Sequence, residues 1–162
     1  MLIKQLKKDE IPAALFLIEE VFEEMKSPIY SQEGMETFQK IIEPTPANTL
    51  LMSNKLLFWG AYCDNKLNGV IALNGMGHIT LLFVCNHNQK KGIGRMLVQE
   101  AYHYSQQVLH LNKMKVRSIP SALQAYLCMG FVITGEQQIT SGIRYIPMEL
   151  RFDIYKDVCV IK

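Results

Sequence analysis

Several chemistries can be set aside because the residues they need are missing. The four cysteines, Cys63, Cys85, Cys128 and Cys159, form no Cys-x-x-Cys and no Cys/His pairing at zinc spacing, so they read as free thiols in a reducing compartment with no metal site. There is no His-Glu-x-x-His and no Gly-x-Ser-x-Gly, and His87 and His103 have no carboxylate or cysteine partner at ligand spacing. No apolar run approaches the ~18 residues of a membrane span, and the first ten residues hold no apolar segment followed by a small-residue cleavage site. The expectation is a cytoplasmic protein with no membrane partner. A dominant charge is lacking too. Seventeen basic against fifteen acidic side chains leave a net charge of +2, too little to argue for nucleic acid. With no repeat, low-complexity tract or linker, the chain reads as a single domain over residues 1–152, with the tail 153–162 unassigned.

What is present is a core-forming composition, 49% hydrophobic and 20% charged, organised around residues 78–95. Ile79 to Val84 is short, apolar and rich in branched and aromatic residues, which suits a buried strand. From Ile93 the period changes: Met96, Leu97, Ala101, Tyr104 and Val108 recur at helical spacing. The turn between therefore opens a helix, whose first N–H groups lack partners and whose aligned dipoles favour an anion. Gly92 and Gly94 let a ligand approach the backbone, and Lys90, Lys91 and Arg95 add positive charge, so a phosphate or pyrophosphate is the expected guest. Two familiar phosphate motifs do not fit. A P-loop needs Gly-x-x-x-x-Gly-Lys-Ser/Thr, and the dinucleotide fingerprint needs a third glycine where this chain has Leu97.

Along the chain, residues 2–6 suggest a strand, and Asp9 a cap for a helix through Ile11, Leu15, Ile18, Phe22 and Met25. Its far side carries Glu19, Glu20, Glu23 and Glu24, a solvated face or a weak attraction for a cationic acceptor. Ser27-Pro28 is expected to break this helix, Ser31 to start a second through Met35, Phe38 and Ile42, and Pro44 and Pro46 to end helical structure in a loop. Residues 55–63 and 66–74 read as a hairpin about Asp64-Asn65, and Asn74 to Gly77 as a reversal into the 78–84 strand. After the long helix, residues 110–117 should lie parallel to that strand. A helix from Pro120 should stop at Gly130, followed by strands at 131–134 and 143–152 about a turn at Thr140-Ser141-Gly142.

The pattern Gln89-x-x-Gly92-x-Gly94 between a strand and an amphipathic helix resembles the acyl-CoA signature of the GCN5-related N-acetyltransferase (GNAT) family. The segment from Pro120 to Phe131, with Tyr126 a few residues before Gly130-Phe131, is similar to that family's second helix. The resemblance implies an α/β (α+β) fold: a mixed, twisted, partly split sheet of about seven strands flanked by about four helices. It implies an enzyme, an acyltransferase that binds acetyl-CoA as co-substrate and moves its acetyl group to a primary amine by direct attack. By resemblance, the backbone of Leu82, Phe83 and Val84 would hold the pantetheine arm. Gln89, Lys90, Lys91, Gly92, Ile93, Gly94 and Arg95 would hold the pyrophosphate. Tyr126 would be the catalytic acid, protonating the leaving thiolate.

One departure is visible: many relatives place an asparagine before the second helix, and Arg117-Ser118-Ile119 has none. The general base stays open between His78 and Glu136, or a water relay. Cys85 reads as packing. Two alternatives stand beside the enzyme: a non-catalytic acyl-CoA-binding or regulatory module with the same fold, and a nucleotide-binding protein using the basic turn. The acceptor, whether small amine, antibiotic, peptide or protein, is left open, and the last strand and tail offer an edge for a homodimer.

Overall fold

In the computed structural model, residues 1–153 are described, except the side chains of 26–29, and the unassigned tail lies outside them. The strands are β1 (Leu2–Gln5), β2 (Leu56–Cys63), β3 (Lys66–Asn74), β4 (His78–Val84), β5 (Lys113–Ser118), β6 (Val132–Ile133), β7 (Gln138–Thr140) and β8 (Ile143–Arg151). The helices are α1 (Ile11–Ile29), α2 (Gln32–Ile42), α3 (Pro46–Lys55), α4 (Ile93–Gln107) and α5 (Leu123–Cys128). The sheet runs β1-β2-β3-β4-β5-β8-β6, with β7 paired to β8. All pairings are antiparallel except β4 with β5, which the α4 crossover makes parallel. The expected split fold is thus present, with one more strand and one more helix than expected.

β3 is buried on both faces, and its alternation sorts the core into two layers. Val70 and Ala72 face the layer of α1, with Leu15, Ile18, Phe22 and Phe58, while Ile71 and Leu73 face that of α4, with Leu97, Val98 and Tyr126. α4 buries Ile93, Leu97, Val98, Ala101, Tyr102 and Ser105. This stripe is rotated from the expected one: Val108 lies beyond the last helical turn and is exposed.

Local chemistry explains most boundaries. Asp64 and Asn65 both take positive φ, 50° and 60°, as a two-residue hairpin turn requires. Ser31 caps α2, its Oγ accepting from Gly34 N at 3.1 Å. Three expectations fail. Glu10, not Asp9, is the N-cap of α1, because Lys8–Glu10 forms a 3-10 turn first, and the Glu10 carboxylate accepts from Lys7 N at 2.9 Å. α1 runs through Ser27-Pro28 to Ile29, since a proline near the last turn costs one hydrogen bond against the packing of a 19-residue helix. Pro44 and Pro46 do not leave a loop: Pro46 opens α3 in the first turn, where its missing N–H is harmless, and Thr45 Oγ1 accepts from Asn48 N at 3.2 Å.

α2 straddles the two arms of the sheet. Phe38 stacks on Phe83 of β4, with ring centroids 5.8 Å apart, while Ser31 Oγ donates to Gly142 O at 2.9 Å in the β7–β8 turn. The approach is close enough that a Cβ on Gly34 would lie 2.5 Å from Gly142 O. Gly34→Ala should therefore destabilise the protein by about 2 kcal/mol, as overpacked sites do. Thermal melting checks this; an unchanged midpoint would show that α2 does not rest on the hairpin.

Candidate active site

β4 and β5 pair only at His78↔Lys115 and Ile79↔Val116 and then diverge. The register of β4 on β3 slips at the same place, Ala72 facing Leu81 and Leu73 facing Ile79, so Thr80 is bulged. Beyond it, Leu81 and Phe83 pack on the α1 layer, and Leu82 and Val84 on the α4 layer. The expected cofactor strand, Leu82 to Val84, is thus the part of β4 whose β5 side is unpaired.

The turn after β4 leads into α4 through two left-handed residues, Lys90 at φ 60° and Gly92 at φ 83°. The first helical bond here is Met96 N to Gly92 O, 3.0 Å, so the N–H groups of Ile93, Gly94 and Arg95 precede the helical ladder. Gly92 is required by its φ. Gly94 is different: a Cβ there would come no nearer to other protein atoms than 3.7 Å to Met129 Cε and 4.0 Å to Val84 Cγ2. These are ordinary contact distances, so the protein itself would accept a Cβ at this position.

The polar side chains of the turn are largely turned onto the protein. Gln89 Nε2 donates to Val84 O at 3.0 Å and to Asn86 Oδ1 at 2.8 Å, and Asn86 Nδ2 donates to Glu24 of α1. Lys91 Nζ donates to Asn88 Oδ1 at 3.1 Å, and Arg95 Nη2 to Cys128 O at 2.8 Å. The Arg95 bond draws the end of α5 against the start of α4. Met129, just past α5, thereby stands beside Gly94 together with Val84.

Tyr126 lies on the buried side of α5, edge-on to Phe131 with centroids 5.2 Å apart. Burial pushes its hydroxyl above the ordinary tyrosine range, so it stays protonated at neutral pH. The hydroxyl has no hydrogen bond to the described residues. Among those residues only Ser105 Oγ is a sealed side-chain polar atom without a partner, so the Tyr126 oxygen keeps some access to solvent.

The two candidate bases fare differently. Burial, with the Arg117 and Lys115 charges, holds His78 below the usual imidazole range, yet it lies at the opposite end of β4 from Val84, about 20 Å away at strand rise. Glu136 is exposed between β6 and β7. Cys85 is half-buried against the α1 layer, in keeping with packing, and burial raises its thiol pKa. Sequence reasoning missed Asn68 and Asn88, whose role depends on strand pairing. Among the described residues no group of three or more His, Cys, Asp or Glu could hold a metal, and no helix is long and apolar enough to cross a membrane.

Known proteins share both the pattern and the geometry. The model of the acetyltransferase (GNAT) domain matches residues 26–152. No curated protein matches the sequence. Among solved structures, a GCN5-related N-acetyltransferase from Rhodopseudomonas palustris aligns over 93% of this chain and 95% of its own, with TM-score 0.78 and 15% identity. The PaiA N-acetyltransferase from Thermoplasma acidophilum in complex with coenzyme A aligns over 94% and 100%, with TM-score 0.74 and 19% identity. A point mutant of the spermidine N-acetyltransferase SpeG from Vibrio cholerae aligns over 96% and 97%, with TM-score 0.63 and 18% identity. At these identities the structural likeness carries the fold, and the domain match carries the family. The chain belongs to the GNAT acetyltransferase family.

Proposed function

We propose that the protein is an acetyl-CoA-dependent N-acetyltransferase acting on a primary amine. The observation that carries this reading is a glycine at position 94 where the protein itself would accept a Cβ in ordinary contact, beside unpaired helix N–H groups and the end of a parted strand. A helix position normally disfavours glycine by ~1 kcal/mol relative to alanine, and no protein neighbour asks for one here. The residues fit the donor. The turn from Gln89 to Arg95 would hold the pyrophosphate through backbone N–H groups with Lys90 and Lys91 nearby, and Leu82 to Val84 would offer strand backbone to the pantetheine arm. The coenzyme A complex of the Thermoplasma relative supports acetyl-CoA as the donor.

Acetyl-CoA supplies an activated acyl carbon that an amine nitrogen attacks as the carbon–sulfur bond breaks. Tyr126 would give its hydroxyl proton to the departing sulfur. Burial keeps the phenol protonated and so available as a donor at neutral pH, while the same upward shift makes it a weaker acid, so the transfer has to be driven by the position of the sulfur against the hydroxyl. The spermidine acetyltransferase among the structural relatives, and a cleft of about 280 Å³ between α1 and α2 where Glu19, Glu36 and Glu43 outnumber the single cation Lys40, favour a cationic acceptor.

Gly94→Ala should leave the melting temperature unchanged or slightly raised while weakening acetyl-CoA binding at least tenfold by calorimetric titration, roughly 1.4 kcal/mol. Equal affinity would show that the donor does not come close to Gly94. Tyr126→Phe should lower kcat about 100-fold, at the lower end for proton transfer, with the acetyl-CoA dissociation constant nearly unchanged. The sign of the Tyr126 shift means that its proton is retained as pH rises past about 10, where a free tyrosine ionises. The rate should therefore show no loss from this group below that pH. Full turnover by Tyr126→Phe on an amine panel would remove it from catalysis.

A further inference from the structure

The turn that would hold the pyrophosphate is fastened to an irregularity in β3, the strand paired with β4. In the β2–β3 pairing Ala61 faces Gly69 and Tyr62 faces Leu67, so Asn68 is a bulged residue with no partner on β2. It is 3% exposed. Its amide is used at both ends: Nδ2 donates to Lys66 O at 2.7 Å, and Oδ1 accepts from Asn88 Nδ2 at 2.6 Å. Asn88 uses both ends too, since its Oδ1 accepts from Lys91 Nζ. The backbone joins in, with Cys85 N donating to Asn68 O at 2.9 Å. Next to the bulge, Gly69 seats the first residue of α4: a Cβ there would lie 3.0 Å from Ile93 Cγ2 and 3.1 Å from Leu97 Cδ1.

A buried asparagine needed only for its own strand would be satisfied by backbone. Here half of the amide is committed to a side chain of the turn, and the three successive donor-to-acceptor bonds from Lys91 to Lys66 need, at residue 68, a group that accepts at one end and donates at the other, as an amide does and a carboxylate or an aliphatic group does not. The turn needs such fastening, because Lys90, a residue with a Cβ, sits in a left-handed conformation that persists only where the surroundings over-determine it.

We infer that Asn68, at the bulge of β3, is a positioning residue for the phosphate-holding turn, fixing Asn88 and through it the Lys91 ammonium. This rests on the reading that acetyl-CoA binds at the turn. Asn68 acts on the phosphates of the donor and not on its thioester end.

The test is a pair of NMR titrations, with acetyl-CoA and with S-acetyl-pantetheine, which keeps the thioester and carries no phosphate, on wild type, Asn68→Ala and Asn88→Ala. Each variant's amide spectrum and melting curve report its fold, and Asn88→Ala breaks the same link without touching a strand. In both variants the acetyl-CoA dissociation constant should rise roughly tenfold, as expected for one lost hydrogen bond to a buried or charged group. That for S-acetyl-pantetheine should stay within about twofold. Folded variants that bind acetyl-CoA like wild type, or that weaken for both ligands alike, overturn the inference. Wild type that does not bind acetyl-CoA at all overturns the donor assignment first, and the inference with it.

Discussion

The rest of the structure depends on the parting of β4 from β5 after two paired residues. Backbone N–H and C=O groups in a sheet are obligatory hydrogen-bonding groups, and a central strand that loses its neighbour has either to find other partners or to meet water or a ligand. Thr80 bulges at the point of parting, so that Leu82 and Val84 turn to the α4 layer and Phe83 to the α1 layer. One of the freed groups, Val84 O, is met by the Gln89 side chain. Helices at both ends keep the gap from closing: α5 is drawn to the start of α4 by the Arg95–Cys128 bond, and α2 reaches from Phe83 to the β7–β8 turn.

An opening of this kind is useful only if its edges are stiff. The turn from Cys85 to Gly92 carries polar side chains whose hydrogen bonds mostly run inward or sideways, to Val84, Asn68, Asn88 and Glu24, leaving the backbone N–H groups of Ile93 to Arg95 as the outward donors. That division of labour is physically sensible. Side chains would lose rotamer freedom on gripping a ligand, whereas N–H groups already fixed by a helix have little left to lose.

Much of this was legible in the chain. The Asp64-Asn65 turn, the Ser31 cap, the Gly130 stop and the strand–turn–helix from Ile79 to Val108 follow from local preferences that the tertiary structure does not oppose. The failures are instructive because each has a local signal with two meanings. Pro46 can end a helix or begin one, and Thr45 with Asn48 decided for the second. Pro28 signals a break, yet one missing bond near the end of α1 did not outweigh the helix's packing. In the site, Gly92 and Gly94 were both readable from the turn, and the structure adds that Gly92 is held by its positive φ while Gly94 would meet Met129 and Val84 only at ordinary contact distance. Asn68 was not legible at all, since a bulge is a property of two strands and no single-strand pattern encodes it.

The small net charge of +2 conceals a separation that bears on how two substrates reach one strand. Lys90, Lys91 and Arg95 gather at the α4 end, where the helix dipole adds to them, while Glu19, Glu36 and Glu43 gather between α1 and α2 on the other layer. Under the proposed function, an anionic donor and a cationic acceptor would be drawn to different faces of the sheet. Such fields extend about 8–10 Å at physiological salt, far enough to bias approach and too short to blur the two regions into one. The separation also gives α1 a second task. Through Glu24 and Asn86 it touches Gln89, so the helix that carries the acidic face also helps to fix the residue that meets the Val84 carbonyl. The turn before α4 and helix α1 are thus joined by a short chain of hydrogen bonds and not by the sheet alone.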